Sequence, residues 1–250
     1  MRHLLRVLCL LGMLSVTPVQ AETLRLVADA WPPFTDATLE QGGLATALVK
    51  AALQRAGYAS EFEQVPWARA LMGISDGRYD VLVNAWYNDS RTRIGQFSGG
   101  YLTNRIRLLK RKADVIRFER LADLYPHSIA VVRDYAYSAD FDNDVRLQKV
   151  PVRSFPVAIG MLAAGRVTLA VEDEYVASWF LQREHSNAKD LLEFFGKPVS
   201  ENDLHILVSL KHPRHEQVVA DFNQAISAMK ADGSYARILE SYGFTPAQTP

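Results

Sequence analysis

Gly77-Arg78-Tyr79-Asp80-Val81-Leu82-Val83-Asn84-Ala85-Trp86-Tyr87-Asn88-Asp89-Ser90-Arg91-Thr92-Arg93 reads as a turn, a strand and a loop. Asp80 to Ala85 is a short apolar run bounded by turn residues, the pattern of a strand buried on both faces of a parallel sheet. In open α/β sheets ligands sit beyond the carboxyl ends of the strands. Asn84, Ala85, Trp86 and the loop to Arg93 therefore fall where a small molecule would be held, with Arg91 and Arg93 as anion binders.

Leu162 to Tyr175 repeats the pattern: Gly165-Arg166 follows a helical segment, an apolar strand comes next, and the strand runs into Glu172-Asp173-Glu174. Two such units predict two lobes of similar build facing one another across a cleft. One contributes Arg91, the other Asp173. A guanidinium on one wall and a carboxylate on the other suit a zwitterion; the alternative is that both are surface charges.

The 250 residues allow one large domain or two smaller lobes. Arg2 and Arg6 precede the apolar run Val7 to Val16, and small residues stand at Val19 and Ala21, which predicts a secretory signal over residues 1–21 cleaved before Glu22. The run is too short to span a bilayer. Of 28 basic and 28 acidic residues, removing Arg2 and Arg6 leaves 26 basic ones, so net charge points to no particular partner. Cys9, the single cysteine, lies inside the apolar run, which makes a lipoprotein a poor reading and leaves the mature chain without thiol chemistry.

Along the mature chain, Thr23 to Ala28 predicts a first strand, and Asp29-Ala30-Trp31-Pro32-Pro33-Phe34-Thr35 a stiff loop presenting Trp31 and Phe34. These rings either wall a ligand or plug a lobe. Leu44 to Ala56 has helical spacing closed by Gly57. Tyr58 to Val65 reads as strand two, after which Trp67 and Arg69 lie beside the same crevice. Arg105 to Arg120 is rich in bases but alternates with Ile106 and Leu108, as a half-exposed strand does. Ser128 to Val132 is a buried-type strand whose following loop offers Tyr135 and Tyr137. Phe155 to Ala164 reads as a helix, Leu204 to Leu210 as a strand returning to the first lobe, Pro213 to Asp232 and Tyr235 to Tyr242 as closing helices, and residues 245–250 as a fraying tail.

Gly73-Ile74-Ser75-Asp76-Gly77 matches the nucleophile-elbow pattern, but a helix precedes it and a strand follows, the reverse of what that serine needs. Asp140, Asp142 and Asp144 alternate like a calcium loop, yet Val145 and Pro151 stand where glycine and glutamate belong. His212 and His215 lack a third ligand, and no phosphate loop or dinucleotide fingerprint occurs. The cluster Glu172-Asp173-Glu174 is where a general acid or base would be sought.

Trp31-Pro32-Pro33-Phe34, Gly43-Leu44, Gly77-Arg78-Tyr79-Asp80, the Arg91 loop leading to Phe97-Ser98 and Tyr101-Leu102, Gly165-Arg166 with Glu172-Asp173-Glu174, and Ala231-Asp232-Gly233-Ser234-Tyr235 come in an order and spacing that resembles the extracellular solute-binding proteins of family 3, amino-acid-type receptors of ABC importers. The resemblance covers essentially the whole mature chain. It implies an α/β, two-lobed periplasmic-binding-protein fold of type II with discontinuous lobes around a hinge and cleft: residues 22–102 and 206–250 in lobe 1, residues 103–205 in lobe 2. It implies that Arg91 grips a ligand carboxylate, that Asp173 takes an amino group and that the Trp31 ring covers the side chain. Asn88-Asp89-Ser90 and Asp134-Tyr135-Ala136 depart from the family pattern, and the many rings favour an aromatic, cationic or bulky ligand.

The expected ligand-binding residues are Trp31, Trp67, Arg69, Asn84, Ala85, Trp86, Arg91, Tyr135, Tyr137 and Asp173. The expected function is a periplasmic receptor that closes on a small polar ligand and delivers it to a membrane ABC permease, as a monomer, without cofactor, metal or nucleic acid. The alternatives are a periplasmic enzyme resembling cyclohexadienyl dehydratase and a soluble ligand sensor.

Overall fold

A computed structural model of the chain describes residues 21–183 and 186–244. The expected signal peptide and the tail 245–250 thus lie outside the described residues, apart from Ala21. The strands are β1 (Thr23–Ala28), β2 (Ala59–Gln64), β3 (Val81–Trp86), β4 (Gly95–Phe97), β5 (Leu102–Arg111), β6 (Ser128–Val132), β7 (Gln148–Val152), β8 (Leu169–Asp173) and β9 (Leu192–Ser209). The helices are α1 (Leu44–Arg55), α2 (Trp67–Asp76), α3 (Ala139–Asn143), α4 (Phe155–Ala163), α5 (Glu174–Arg183), α6 (Ser186–Lys189), α7 (His215–Ala231) and α8 (Ser234–Ser241).

The strands follow one path, β2-β1-β3-β9-β5-β8-β6-β7, with β4 beside β9. Every residue of β3 is buried. Its environment is mixed rather than parallel, since it runs parallel to β1 but antiparallel to β9. At the far end β6 runs parallel to both β7 and β8. Each half therefore has a parallel core, and β5 with β9 forms an antiparallel ribbon between them. On this ribbon Leu204 to Val208 reach β3 and Ile106 to Leu109 reach β8, whereas Thr103 to Arg105 and Glu201 to Asp203 pair only with each other. Those two triplets are where the halves join.

The returning strand is far longer than Leu204 to Leu210. Its register against β5 jumps between Ile106–Ser200 and Leu108–Phe195, so residues 196–199 bulge out. Gly196, at φ 63°, permits the bulge, and with Pro198 it breaks the alternation that would reveal a continuous strand. The basic stretch alternates buried and more exposed positions from Leu102 to Leu108, as its pattern predicts, but Leu108, Leu109 and Lys110 are all buried and the strand ends at Arg111. Arg105 pairs with Glu174 and Glu201, and Lys110 with Glu193.

In the first half, α1, α7 and α8 contact one another, and Leu44, Leu48, Leu53, Val218, Phe222 and Leu239 pack in one core with β1. On the other side α2 buries Trp67, Ala70 and Ile74 against Val27, Leu82 and Leu207. Ser75 belongs to α2, which ends at left-handed Gly77, so it occupies no strand-to-helix turn. Among the described residues no helix is long and apolar enough to cross a membrane, and no cluster of His, Cys, Asp or Glu could hold a metal ion.

Candidate functional site

The loop after β1 is closed on itself: the Trp31 amide donates to the Thr35 carbonyl at 2.6 Å and the Thr35 hydroxyl to the Asp29 carbonyl at 2.8 Å. Its Pro32–Pro33 peptide is cis. This loop stacks the Trp31 ring 4.8 Å from Phe34 and sets it edge-on to Trp86 at 5.4 Å. Beyond β3, Asn88 caps a short 3-10 helix, Asp89–Arg93, that carries Arg91.

Arg91 is only 6% exposed. Its guanidinium donates to the Trp86 carbonyl at 2.6 Å and to the Asp134 carbonyl at 2.7 Å, and lies 4.9 Å from the centre of the Trp67 ring. Trp67 Nε1 also donates to the Asp134 carbonyl, at 3.1 Å. No carboxylate of the described residues forms an ion pair with Arg91, and burial lowers its pKa to about 10. A guanidinium has five N–H donors in a planar fork, so two carbonyls leave it capacity for an anionic oxygen.

Asn84 donates from Nδ2 to Asp29 Oδ1 at 2.9 Å and to the Thr35 hydroxyl at 3.3 Å, which fixes the amide's orientation. Its Oδ1 is buried and accepts no hydrogen bond from the protein. The Tyr135 hydroxyl donates to Asp29 Oδ2 at 2.9 Å. Burial pushes the Asp29 carboxyl up and the Tyr135 phenol well up. Glu172, fully buried, accepts from Trp31 Nε1 and its neighbour's amide at Oε1, whereas its Oε2 accepts nothing from the protein. Burial raises Glu172 to about 8, so it holds a proton at neutral pH.

Trp31, Trp67, Asn84, Trp86, Arg91 and Tyr135 thus come together around one cavity with about 230 Å³ of empty volume. Only about 10 Å³ of it is open to the centre of a water molecule, room for about one water. Two open grooves flank it, one along Arg153, Phe155 and Phe180, the other along Tyr87, Asp142 and His205.

The other expected residues lie elsewhere. Ala85 is buried on the α2 side of β3, Arg69 is exposed on α2, and Tyr137 stands behind Trp86 and Tyr135 with its hydroxyl taking the Val132 amide. Asp173 is fully buried; Oδ1 caps α5 through the Tyr175 and Val176 amides, and Oδ2 accepts from Asn104 at 3.2 Å. Asn104 in turn accepts from Trp86 Nε1, linking Asp173 to the cavity wall. Asp29, Asn104 and Glu172 hydrogen-bond to residues that line the cavity and lie outside the expected ligand-binding set, although Glu172 belongs to the acidic cluster singled out for a general acid or base. A lone acid at the end of an apolar strand is the signal that marks Asp29.

The model of the bacterial extracellular solute-binding proteins, family 3, matches residues 24–245. No curated protein matches the chain. Among solved structures, a histidine kinase sensor domain with similarity to periplasmic binding proteins is 19% identical, with 89% of this chain and 96% of that one aligned and a TM-score of 0.76. An ancestral arginine-binding protein bound to arginine is 24% identical over 88% and 97% of the two chains, with a TM-score of 0.73. The ancestral amino acid-binding protein AncCDT-1, a precursor of cyclohexadienyl dehydratase, is 20% identical over 88% and 95%, with a TM-score of 0.70. These likenesses show the type II periplasmic-binding-protein fold. The chain belongs to the bacterial extracellular solute-binding proteins, family 3.

Proposed function

We propose that the chain is exported by a cleaved signal peptide, residues 1–21, and acts in the periplasm as a receptor that closes on a small polar ligand and delivers it to an ABC permease. The observation that carries this reading is Arg91, a buried guanidinium in an aromatic cavity with no carboxylate paired to it. A buried charge is costly unless paired, and a ligand carboxylate would supply the missing charge. Residues 22–102 and 206–250 form one lobe and residues 103–205 the other, with the hinge at Thr103 to Arg105 and Glu201 to Asp203. The ligand is amino-acid-like, aromatic or cationic, in keeping with the arginine held by one structural neighbour and with rings able to stack on either class.

The test is thermal unfolding of the exported protein against amino acids, polyamines, aromatic acids and prephenate. A ligand at a hundredfold excess over its dissociation constant adds about 2.7 kcal/mol. A shift with one class, lost in Arg91→Ala, is expected. No shift with any compound contradicts the reading.

Glu172 supports a second reading. Glu172 does not itself line the Arg91 cavity. Its carboxyl, raised by burial beside Trp31 and with Oε2 unengaged, would give its proton to a hydroxyl that leaves as water while the substrate's ring carboxylate leaves as carbon dioxide, the balance by which prephenate becomes phenylpyruvate. Formation of phenylpyruvate from prephenate, abolished in Glu172→Gln, would establish it, and a prephenate-induced shift without turnover excludes it.

A further inference from the structure

Two adjacent residues of the loop after β6 satisfy most of what the first half offers at the cavity. The Asp134 carbonyl takes both Arg91 at 2.7 Å and Trp67 at 3.1 Å. The Tyr135 ring meets Trp67 and Trp86 edge-on, with centroids 5.5 and 5.6 Å apart, and its hydroxyl donates to Asp29. Asp134 does this from a left-handed backbone, φ 64°, a conformation sparsely used by residues other than glycine and maintained only where surrounding contacts compensate for it. Tyr135 also packs against both hydrophobic clusters of the molecule, joining one to the other.

These contacts have the chemistry of a bound ligand: an oxygen on the guanidinium, a flat ring among indoles, a donor on the buried acid. With them in place the cavity has room for about one water. We propose that Asp134–Tyr135 is a built-in surrogate ligand that holds the halves together when the site has no other occupant. The molecule that displaces it is an aromatic acid bearing a hydroxyl or ammonium donor: a carboxylate for Arg91, a ring for the Trp67–Trp86 wall and a donor for Asp29. The ligand class rests on the receptor reading; the surrogate itself does not.

Competition follows from this arrangement. A site filled by its own chain lowers apparent affinity by the fraction of molecules in which it is vacated. Removing Tyr135 therefore strengthens binding of a small aromatic, whereas removing a simple ligand contact weakens it.

The test compares the exported wild-type protein with Tyr135→Ala by small-angle scattering without ligand, and then with 4-methylphenol, the tyrosine side chain as a free molecule. Wild type should be compact and indifferent to 4-methylphenol. Tyr135→Ala should be expanded, should bind 4-methylphenol with a change in tryptophan fluorescence, and should become compact again. A variant as compact as wild type, or one that neither binds 4-methylphenol nor contracts with it, overturns the proposal. Tyr135→Phe keeps the ring and loses only the Asp29 bond, so its curve should lie between the two; a curve identical to wild type overturns the Asp29 arm of the latch, and this variant carries the test if Tyr135→Ala does not fold. The receptor reading fails separately, if no compound of the ligand panel binds wild type while Tyr135→Ala still expands and contracts as described.

Discussion

The Arg91 guanidinium donates a 2.7 Å hydrogen bond to the Asp134 carbonyl, so a buried cation of one half is tied to a backbone oxygen of the other. A carboxylate is a stronger acceptor than that neutral carbonyl and, under the receptor reading, would either use the remaining N–H donors or displace the carbonyl. Arg91→Ala is expected to weaken binding at least ~100-fold, about the worth of one charge-assisted pair. Stability should change by less than about 2 kcal/mol, because losing the two bonds is offset by no longer burying the charge. Calorimetric titration with chemical unfolding checks both, and unchanged binding rejects Arg91 as the anion site. Arg91→Lys should not rescue, since an ammonium lacks the planar fork that spans both carbonyls.

Burial raises Glu172 to about 8 and Asp173 to about 7. The folded chain therefore binds more protons than the unfolded chain from the ordinary carboxyl range up to those values, and stability falls as pH rises through them. The contribution is complete below about pH 4 and lost by about pH 8, with a slope approaching ~1.4 kcal/mol per pH unit for each group. Asp29, also raised, adds the same sign, whereas Asp144 and Asp232, held low by Arg146 and by Ser234, act below this window. Glu172→Gln should reduce the slope and be more stable than wild type at the alkaline end. Urea unfolding across the window decides it; wild-type stability that rises toward alkaline pH contradicts the assignment.

Asp173 caps α5 with one oxygen and receives Asn104 with the other. Losing the cap costs about 0.5–2 kcal/mol, so Asp173→Ala is expected to lower stability by that amount. Asp173→Asn keeps a capping oxygen and separates the roles. If Asp173→Asn binds ligand normally, the aspartate serves the helix; if binding is lost while stability is kept, it also serves a ligand cation.

Gly43 has φ 91°, and a Cβ there would stand 2.6 Å from the Phe34 carbonyl oxygen. The Leu44 and Ala45 amides bond the Pro33 and Phe34 carbonyls, so α1 and the Trp31 loop are pressed together at this point. Gly43→Ala is expected to cost about 1–3 kcal/mol and to weaken ligand binding by shifting Trp31. Thermal unfolding and titration test this together. Wild-type values for both would mean that the loop tolerates displacement.

Much of this architecture is legible in the sequence because periodicity reports burial. The β3 run, the α1 and α7 stripes and the repeated Gly-Arg turns all carry their patterns openly. The length of β9 is not legible, since Gly196 and Pro198 mimic a loop within a bulged strand. At the site, Trp31, Trp67, Asn84, Trp86, Arg91 and Tyr135 follow from one rule, that strand ends line the cleft. That rule has no way of saying which way a side chain turns. Arg69 follows a helical turn out to solvent, and Asp173 and Glu172, adjacent on one strand, face different partners. The cross-half bonds of Asp29 and Asp134 depend on how two separately encoded halves meet, which no local pattern records.

A small ligand is expected to bind at Arg91 within the Trp31–Trp67–Trp86 wall. The most direct measurement is a tryptophan-fluorescence titration of wild type and Arg91→Ala with the compound selected by the thermal panel, since three of the four tryptophans line the cavity. Saturable change in wild type that disappears in Arg91→Ala is the predicted result. The same curve from both proteins would place the ligand away from Arg91.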